Sequence, residues 1–477
     1  MQTVHSLSRP IQDFARNRYP VKILQFGTDN FLLGFADWII QEANDKAGFN
    51  AGVSVIQSTS NGDTLNSQEG VFTVILKGIY EEEFVRKQYK IDAIQRVVNP
   101  AKDFLGFLEE ALNPDLQFII SNSIEGGIIF TPSDELHTLA SSFPGQLTQL
   151  LYHRFKNNLN NGLLILPTEL IEQNGIALKS CIKKYAAHWG LSSEFTTWIT
   201  KHITFCNTLV DRIVSGVPKK PKEIFYHELG YADELALEGE WFYLWVIDGP
   251  RWIEEVLPFK KAGLQVVYTH DLTPYRLRKV RILNGAHSCM ACVGYLAGLR
   301  TVRETIEHPV IGNFVKRMIF DDILSNLPGD LIELEKFAEE VIIRFRNPAI
   351  DHHLIAITHD SFSKFNVRVI PSLLAHIEKN GVVPDRIAYS IASLFFFYRG
   401  SDDITLNDRA DLISFMQLVW KEVDYSISSM EGMCKKIFSR QELWGSDLTK
   451  VPQLVNRTAH HLHEMHRKGI VESLKNL

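Results

Sequence analysis

Apolar residues along this chain follow two rhythms, and the change comes near residue 270. Before it, short apolar runs bounded by Gly, Asn, Asp and Ser alternate with stretches of helical period. Runs at 21–26 (VKILQF), 52–57, 72–76, 89–97, 118–121, 163–166 and 264–269 predict strands, and 31–44, 102–112 and 143–155 predict helices. Such alternation predicts an α/β domain with a doubly wound, mainly parallel sheet covered on both faces. Residues 1–20 read as a loose N-terminal arm. Beyond 300 strand signals nearly vanish, and amphipathic stretches at 330–346, 379–398 and 408–423 predict a mainly α-helical domain. A helix with Thr273 as N-cap and Pro274 in its first turn, running to about 300, opens that domain. The expected division is therefore 1–271 and 272–477, and 477 residues exceed what one hydrophobic core usually supports.

The first strand leads into a tight turn and a helix, the opening of a dinucleotide-binding, Rossmann-like unit. Gln25, Phe26, Gly27, Thr28, Asp29, Asn30 and Phe31 are the candidate cofactor residues there. Gly27 is the first Gly of a G-x-G pattern, but Asp29 stands where a second Gly would let phosphate near the backbone. Ser121, Asn122 and Ser123 lie just past another strand end, where α/β folds place ligands. Residues 58–63 (STSNGD), after the second strand, hold no Arg or Lys to meet a 2′-phosphate, so NAD rather than NADP is expected.

The helix from Thr273 carries Lys279, Asn284 and His287. With Lys279 at zero and ~100° per residue, His287 falls at about 80° and Asn284 at about 140°. Such a face reads either as a polar helix side with a satisfied core His or as donors aimed at a reacting oxygen. Beyond His287 the face carries only Ala291, Gly294 and Gly298, open to something flat. Cys289 and Cys292 have C-x-x-C spacing, but no second pair with zinc spacing accompanies them, and small packing residues are the better reading. His352 and His353 are adjacent and share no helix face, which argues against a metal site with His359.

Composition narrows the function classes. A net charge of −6 leaves no electrostatic footprint for nucleic acid. No apolar run approaches the ~18 residues of a membrane span, and Met1–His5 begins no signal peptide, so no membrane partner and a cytoplasmic location are expected. Five Cys make no disulfide framework.

The pattern K-x-R-x-L-N-x-x-H-S at 279–288 resembles the active-site helix of the polyol-specific long-chain dehydrogenases, the mannitol dehydrogenase family. The resemblance implies that Lys279 is the general acid/base and that Asn284 and His287 contact the reacting oxygen. Residues 203–215 (ITFCNTLVDRIVS) are similar to the V-D-R signature of the family. Read alone, Asp211 and Arg212 suggest an ion pair; the resemblance makes Asp211 a candidate for orienting substrate or Lys279.

Residues 167–175 (PTELIEQNG) resemble the tagaturonate reductase branch, where mannitol and mannonate dehydrogenases carry Asn in place of Glu169. The segments 227–231, 240–250, 347–371 and 443–448 resemble the same branch. They imply Glu169, Arg281, His352, Lys364 and Arg368 as further substrate contacts, with Lys364 or Arg368 meeting a carboxylate. Asp29 and Leu33, the latter where the family often carries Arg, depart from the pattern. The resemblance spans about 21–452. It implies NAD-dependent, metal-independent interconversion of D-tagaturonate and D-altronate by a monomer or weak homo-oligomer. Fructuronate (mannonate) or mannitol reduction is the nearest alternative, and a sugar- or cofactor-binding protein without catalysis is the other.

Overall fold

The computed structural model describes residues 9–57, 60–123, 127–218, 220–401, 404–475 and 477. Contacts divide the chain into two compact units, which meet in sequence at Leu272 and Thr273.

The first unit holds thirteen strands among its described residues: β1 (Val21–Phe26), β2 (Gly52–Ile56), β3 (Phe72–Tyr80), β4 (Glu83–Ile91), β5 (Ile94–Val98), β6 (Phe118–Ser121), β7 (Leu163–Pro167), β8 (Ile203–Phe205), β9 (Asn207–Asp211), β10 (Val214–Gly216), β11 (Leu237–Glu240), β12 (Leu244–Asp248) and β13 (Val266–Thr269). Six of them form a parallel sheet in the order β5-β2-β1-β6-β7-β8. Its central strands are near-continuous apolar runs because both faces are covered. Successive residues feed opposite faces. Ile23, Val53, Val55, Ile120 and Leu166 pack with Phe35 and Trp38 on one side. Leu24, Phe26, Ile56, Ile119 and Ile165 pack with Phe107, Leu147 and Leu150 on the other. This is the Rossmann-like doubly wound layer that the alternation predicts.

The remaining strands depart from that expectation. The 72–76 run extends to Tyr80 and leaves the parallel sheet, joining a four-stranded one in the order β10-β11-β3-β4. The 89–97 run is two strands, the end of β4 and then β5, which lie in different sheets. The 264–269 run ends in β13, part of a third sheet in the order β13-β12-β9. Of the expected arm, 1–8 lie outside the described residues, while 9–20 are pinned to the unit. Ile11 is buried, Ile11 N donates to Ala232 O, and Asn17 N donates to Asp92.

The second unit is helical throughout its regular elements. Its first helix is continuous from Thr273 to Leu296, but Lys279–Asn284 is wound as a π turn between two α segments. The stretch 379–398 is not one helix. Gly381, with φ of 71°, caps Ile370–Asn380, and Asp385–Phe397 starts after Pro384; a left-handed Gly followed by Pro is a stop signal. Helices at Pro309–Arg317, Ile427–Phe438 and Leu454–Lys468 here, and at Asn174–His188 and Ser193–His202 in the first unit, add to those anticipated. No helix among the described residues is long and apolar enough to cross a membrane.

Candidate active site

In the parallel sheet the chain moves outward in opposite directions from β1 and β6. Their carboxyl ends therefore form the topological switch point, where open α/β sheets receive ligands. The turn after β1 stands there. Gly27 has φ of +116°, and a Cβ on it would lie 3.1 Å from both Asn122 O and Leu32 Cδ1, so neither conformation nor space admits a side chain. Gln25 Nε2 donates to Gly27 O at 3.2 Å, and Gln57 Nε2 donates to the buried Thr28 hydroxyl at 2.7 Å. Asp29 caps the following helix, its Oδ1 accepting from Leu32 N at 2.9 Å and its Oδ2 from Asn122 Nδ2 at 2.7 Å. Phe31 stacks on Phe35, and Phe26 packs below the sheet. A tight glycine turn at a strand tip fits a dinucleotide; the carboxylate of Asp29 is the group whose charge opposes one. Leu33 is fully buried.

Past β6, Ser121 and Ser123 turn to Glu169. Its buried carboxylate accepts from Ser123 N (3.0 Å), Ser123 Oγ (2.9 Å) and Ser121 Oγ (3.2 Å). Burial pushes its pKa up, and these donors oppose the shift only in part. Asp211 is buried at the end of β9, opposite Leu244.

Two side chains here do what the sequence did not announce: Arg212, whose expected pairing with Asp211 is not made, and Asp37, which was not singled out. The helix after Gly27 contains a π turn, Leu33–Asp37, and such turns loosen the regular backbone ladder. Arg212 takes the Gly34 carbonyl through Nη1 at 2.8 Å and the Phe242 carbonyl through Nε at 3.2 Å. Its guanidinium stacks between Trp38 (4.2 Å) and Tyr243 (4.8 Å), and it forms no ion pair among the described residues. The signature Arg thus braces the helix and does not pair with Asp211. Burial lowers its pKa to about 9.

The other is Asp37, fully buried, with Oδ2 accepting from Gln25 Nε2 at 3.1 Å and Oδ1 without a partner. Burial pushes its pKa up to about 8. Unfolded, the carboxyl ionises near pH 4. Between those values the unfolded chain loses a proton that the folded chain keeps, so stability present below about pH 4 is lost as pH rises to about 8. Asp37→Asn, which keeps the acceptor for Gln25, should gain stability over its parent across that range. The gain should total at most about 5 kcal/mol, read from denaturant midpoints at a series of pH values. A difference independent of pH would rule out a buried ionisation.

In the second unit, Lys279 and Asn284 are half-buried on the π turn, while His287 follows in the regular α segment and is buried. The His287 ring lies 4.5 Å from that of Phe345 and 4.9 Å from that of His352. Desolvation, with His352, Arg344 and Arg368 nearby, holds its pKa well below the usual imidazole range, so His287 is a neutral donor. The loop carrying His352 is fixed to the end of the central helix: Val302 N donates to His352 O and Leu354 N to Arg300 O. Arg368 Nη1 donates to Ser288 Oγ at 3.4 Å, next to His287, and Lys364 Nζ donates to Ile357 O at 3.0 Å. Arg281 is half-buried, and its Nη1 is buried without a hydrogen-bond partner.

The structure therefore gathers His287, His352 and Arg368 around one stretch of the central helix. Of the small-residue face beyond, Ala291 and Gly294 are covered by the chain itself, whereas Gly298 lies past the helix end and is exposed. A Cβ on Gly294 would lie 2.6 Å from Thr305 Oγ1 and 2.9 Å from Leu354 Cδ1. Cys289 and Cys292 are buried free thiols. No cluster of three His, Cys, Asp or Glu suited to a metal occurs among the described residues.

Comparison with known proteins places both units. The chain matches the mannitol dehydrogenase Rossmann domain over residues 21–261 and the mannitol dehydrogenase C-terminal domain over 271–466. It is similar to the altronate oxidoreductase of Bacillus subtilis (strain 168), 41% identical over 96% of this chain and 95% of that one. It is also similar to that of Bacteroides thetaiotaomicron, 37% identical over 96% and 97%. Its fold is shared with substrate-free D-sorbitol dehydrogenase (TM-score 0.80, 20% identity, 96% and 95% covered). It is shared too with Pseudomonas fluorescens mannitol 2-dehydrogenase, solved as a ternary complex with NAD and D-mannitol (TM-score 0.71, 20% identity, 98% and 95% covered). Family domains thus account for nearly the whole length, sheet and helices alike, and the chain belongs to the mannitol dehydrogenase family of oxidoreductases.

Proposed function

We propose that the chain is a nicotinamide-dependent reductase interconverting D-tagaturonate and D-altronate. The observation that carries the substrate is the near full-length likeness to altronate oxidoreductases, 41% identical in the Bacillus subtilis case. The chemistry is supported by the second unit's helix. Lys279 gives a proton to the ketone oxygen on reduction and takes it back on oxidation. Asn284 and His287 donate hydrogen bonds to that oxygen as charge develops on it. Neutrality suits His287 to this: it offers an N–H without competing with Lys279 as the acid. Both the proton and the oxyanion are served by side chains, so the reaction is written without a metal.

A nicotinamide held by the first unit would supply the hydride. Gln25 to Phe31 and Ser121 to Ser123 form the two segments proposed to hold it, Asp29 being the one group among them whose charge opposes binding. Glu169, engaged by Ser121 and Ser123, is proposed to act by fixing that segment, and Asp211 by orienting substrate. Arg281, His352, Lys364 and Arg368 are the proposed substrate contacts of the second unit.

The deciding experiment follows oxidation of NADH by the purified chain with D-tagaturonate, D-fructuronate and D-fructose in turn. Tagaturonate should be the best acceptor, and faster turnover of fructuronate would move the assignment to mannonate formation. NADH should be preferred to NADPH. Of 58–63, Ser58 and Thr59 lie outside the described residues, and Lys102, a cation the structure brings to this stretch, is paired with Asp63 at 3.2 Å. Equal kcat/KM with NADPH would overturn that preference.

A further inference from the structure

We propose that Asp29 is an intramolecular competitor for the cofactor's pyrophosphate, so that this one residue sets a weak dinucleotide affinity. The inference rests on the reading of the first unit as the cofactor-binding one. It adds which residue limits that binding and in which direction.

A phosphate at the tip of β1 would need room beside the backbone, free amides in the first helical turn, and positive potential. Gly27 adds no side chain of its own to that space. The other two are already taken. Asp29 Oδ1 holds Leu32 N, one of the amides a phosphate would use, and Oδ2 holds Asn122 Nδ2, which ties the tip of β1 to the tip of β6 across the switch point. The helix that starts here continues through its π turn to Ala47. Its start carries roughly +0.5 of an elementary charge, against a full −1 on the carboxylate. The carboxylate therefore opposes the attraction that the helix start would offer an incoming anion.

Asp29 forms no ion pair among the described residues, and Leu33, one turn further along, is apolar and fully buried. Asp37, whose own carboxyl feels the charge of Asp29, is another acid. Burial raises the pKa of Asp29, as expected for a carboxylate without a counter-charge, while the donors from Leu32 and Asn122 lower it only in part.

The test is a gain of binding, which a folding defect cannot mimic. Asp29→Asn keeps a side-chain acceptor for Leu32 N and removes the charge; Asp29→Gly removes both. Calorimetric titration of the full chain with NADH should give a Kd at least about tenfold lower for each variant than for the parent, as expected for relief of a like-charge contact near a partly buried site. ADP as probe should show the same tightening, whereas adenosine, which carries no phosphate, should bind all three chains alike. Unchanged or weaker NADH binding by Asp29→Asn, with a thermal midpoint like that of the parent, would overturn the proposal while leaving the cofactor reading intact. Equal tightening of adenosine would also overturn it, because relief of shape and not of charge would be the cause. Absence of NADH binding in all three chains would sink the cofactor reading, and this proposal with it.

Discussion

Replacing Lys279 by Met should slow reduction of the keto-acid by about 10²- to 10⁴-fold, the range general acid–base groups supply. Met preserves the length and apolar stem of Lys and removes only the proton carrier. The dissociation constant of NADH should stay where it was, because the proposed cofactor residues lie on the first unit. Asn284 and His287 would remain as donors, so the variant should keep a residual rate from oxyanion stabilisation alone. Reduction and oxidation both pass through this proton carrier, so Lys279→Met should lose both directions together. Turnover above about a tenth of the parent value would remove Lys279 from the proton path, since a tenfold loss is below what such groups supply.

The second large effect concerns the far end of the substrate. Fructose and tagaturonate differ there by an alcohol against a carboxylate, and a site built for the acid must hold a cation for it. Arg368 offers a planar fork beside His287, and burial has already removed part of its water, which lowers its pKa. Lys364 stands one turn earlier on the same helix. A substrate lacking the carboxylate would leave the partly desolvated Arg368 guanidinium without the anion it suits, so kcat/KM on fructose should fall roughly 10⁴-fold below that on tagaturonate. Arg368→Ala and Lys364→Ala should each raise KM for the keto-acid about ten- to a hundredfold, the ~1.5–3 kcal/mol of a charged hydrogen bond. The poor rate on fructose should hardly move. Parallel losses on both substrates would mean the two side chains hold structure, and comparable efficiency on fructose would sink the sugar-acid assignment.

How far the sequence could be read depended on how local the controlling physics was. The parallel sheet was legible because strands buried on both faces leave near-continuous apolar runs, unbroken in β7 and interrupted in β2 only by Ser54. The β3–β4 hairpin was not. Its two-residue loop is Glu81 and Glu82, with φ of 49° and 67°, where Asn-Gly or Asp-Gly is the usual sign of such a turn. Arg212 could be recognised as part of a signature, but not as a brace, because its carbonyl partner Gly34 is distant in sequence and is offered by a π turn that no local pattern announces. Asp37 was missed for a similar reason: a single acid on an apolar helix face looks like a surface residue until Gln25 is found beside it. The helix of Lys279, Asn284 and His287 was found by its residue types, but the angles assigned to it assumed uniform α-helical winding.

That last difference matters to anyone who would transplant the motif. A π turn closes hydrogen bonds from i to i+5 and accommodates about one extra residue, so the groups after it are rotated by roughly 100° from where a straight helix would put them. Lys279 and Asn284 bound the wide turn, and His287 follows it. Grafted letter by letter onto an ideal designed helix, the ten-residue string would keep its spacing on paper and lose its geometry. A faithful copy would need the bulge as well as the letters, or a shortened string that restores the same directions without it.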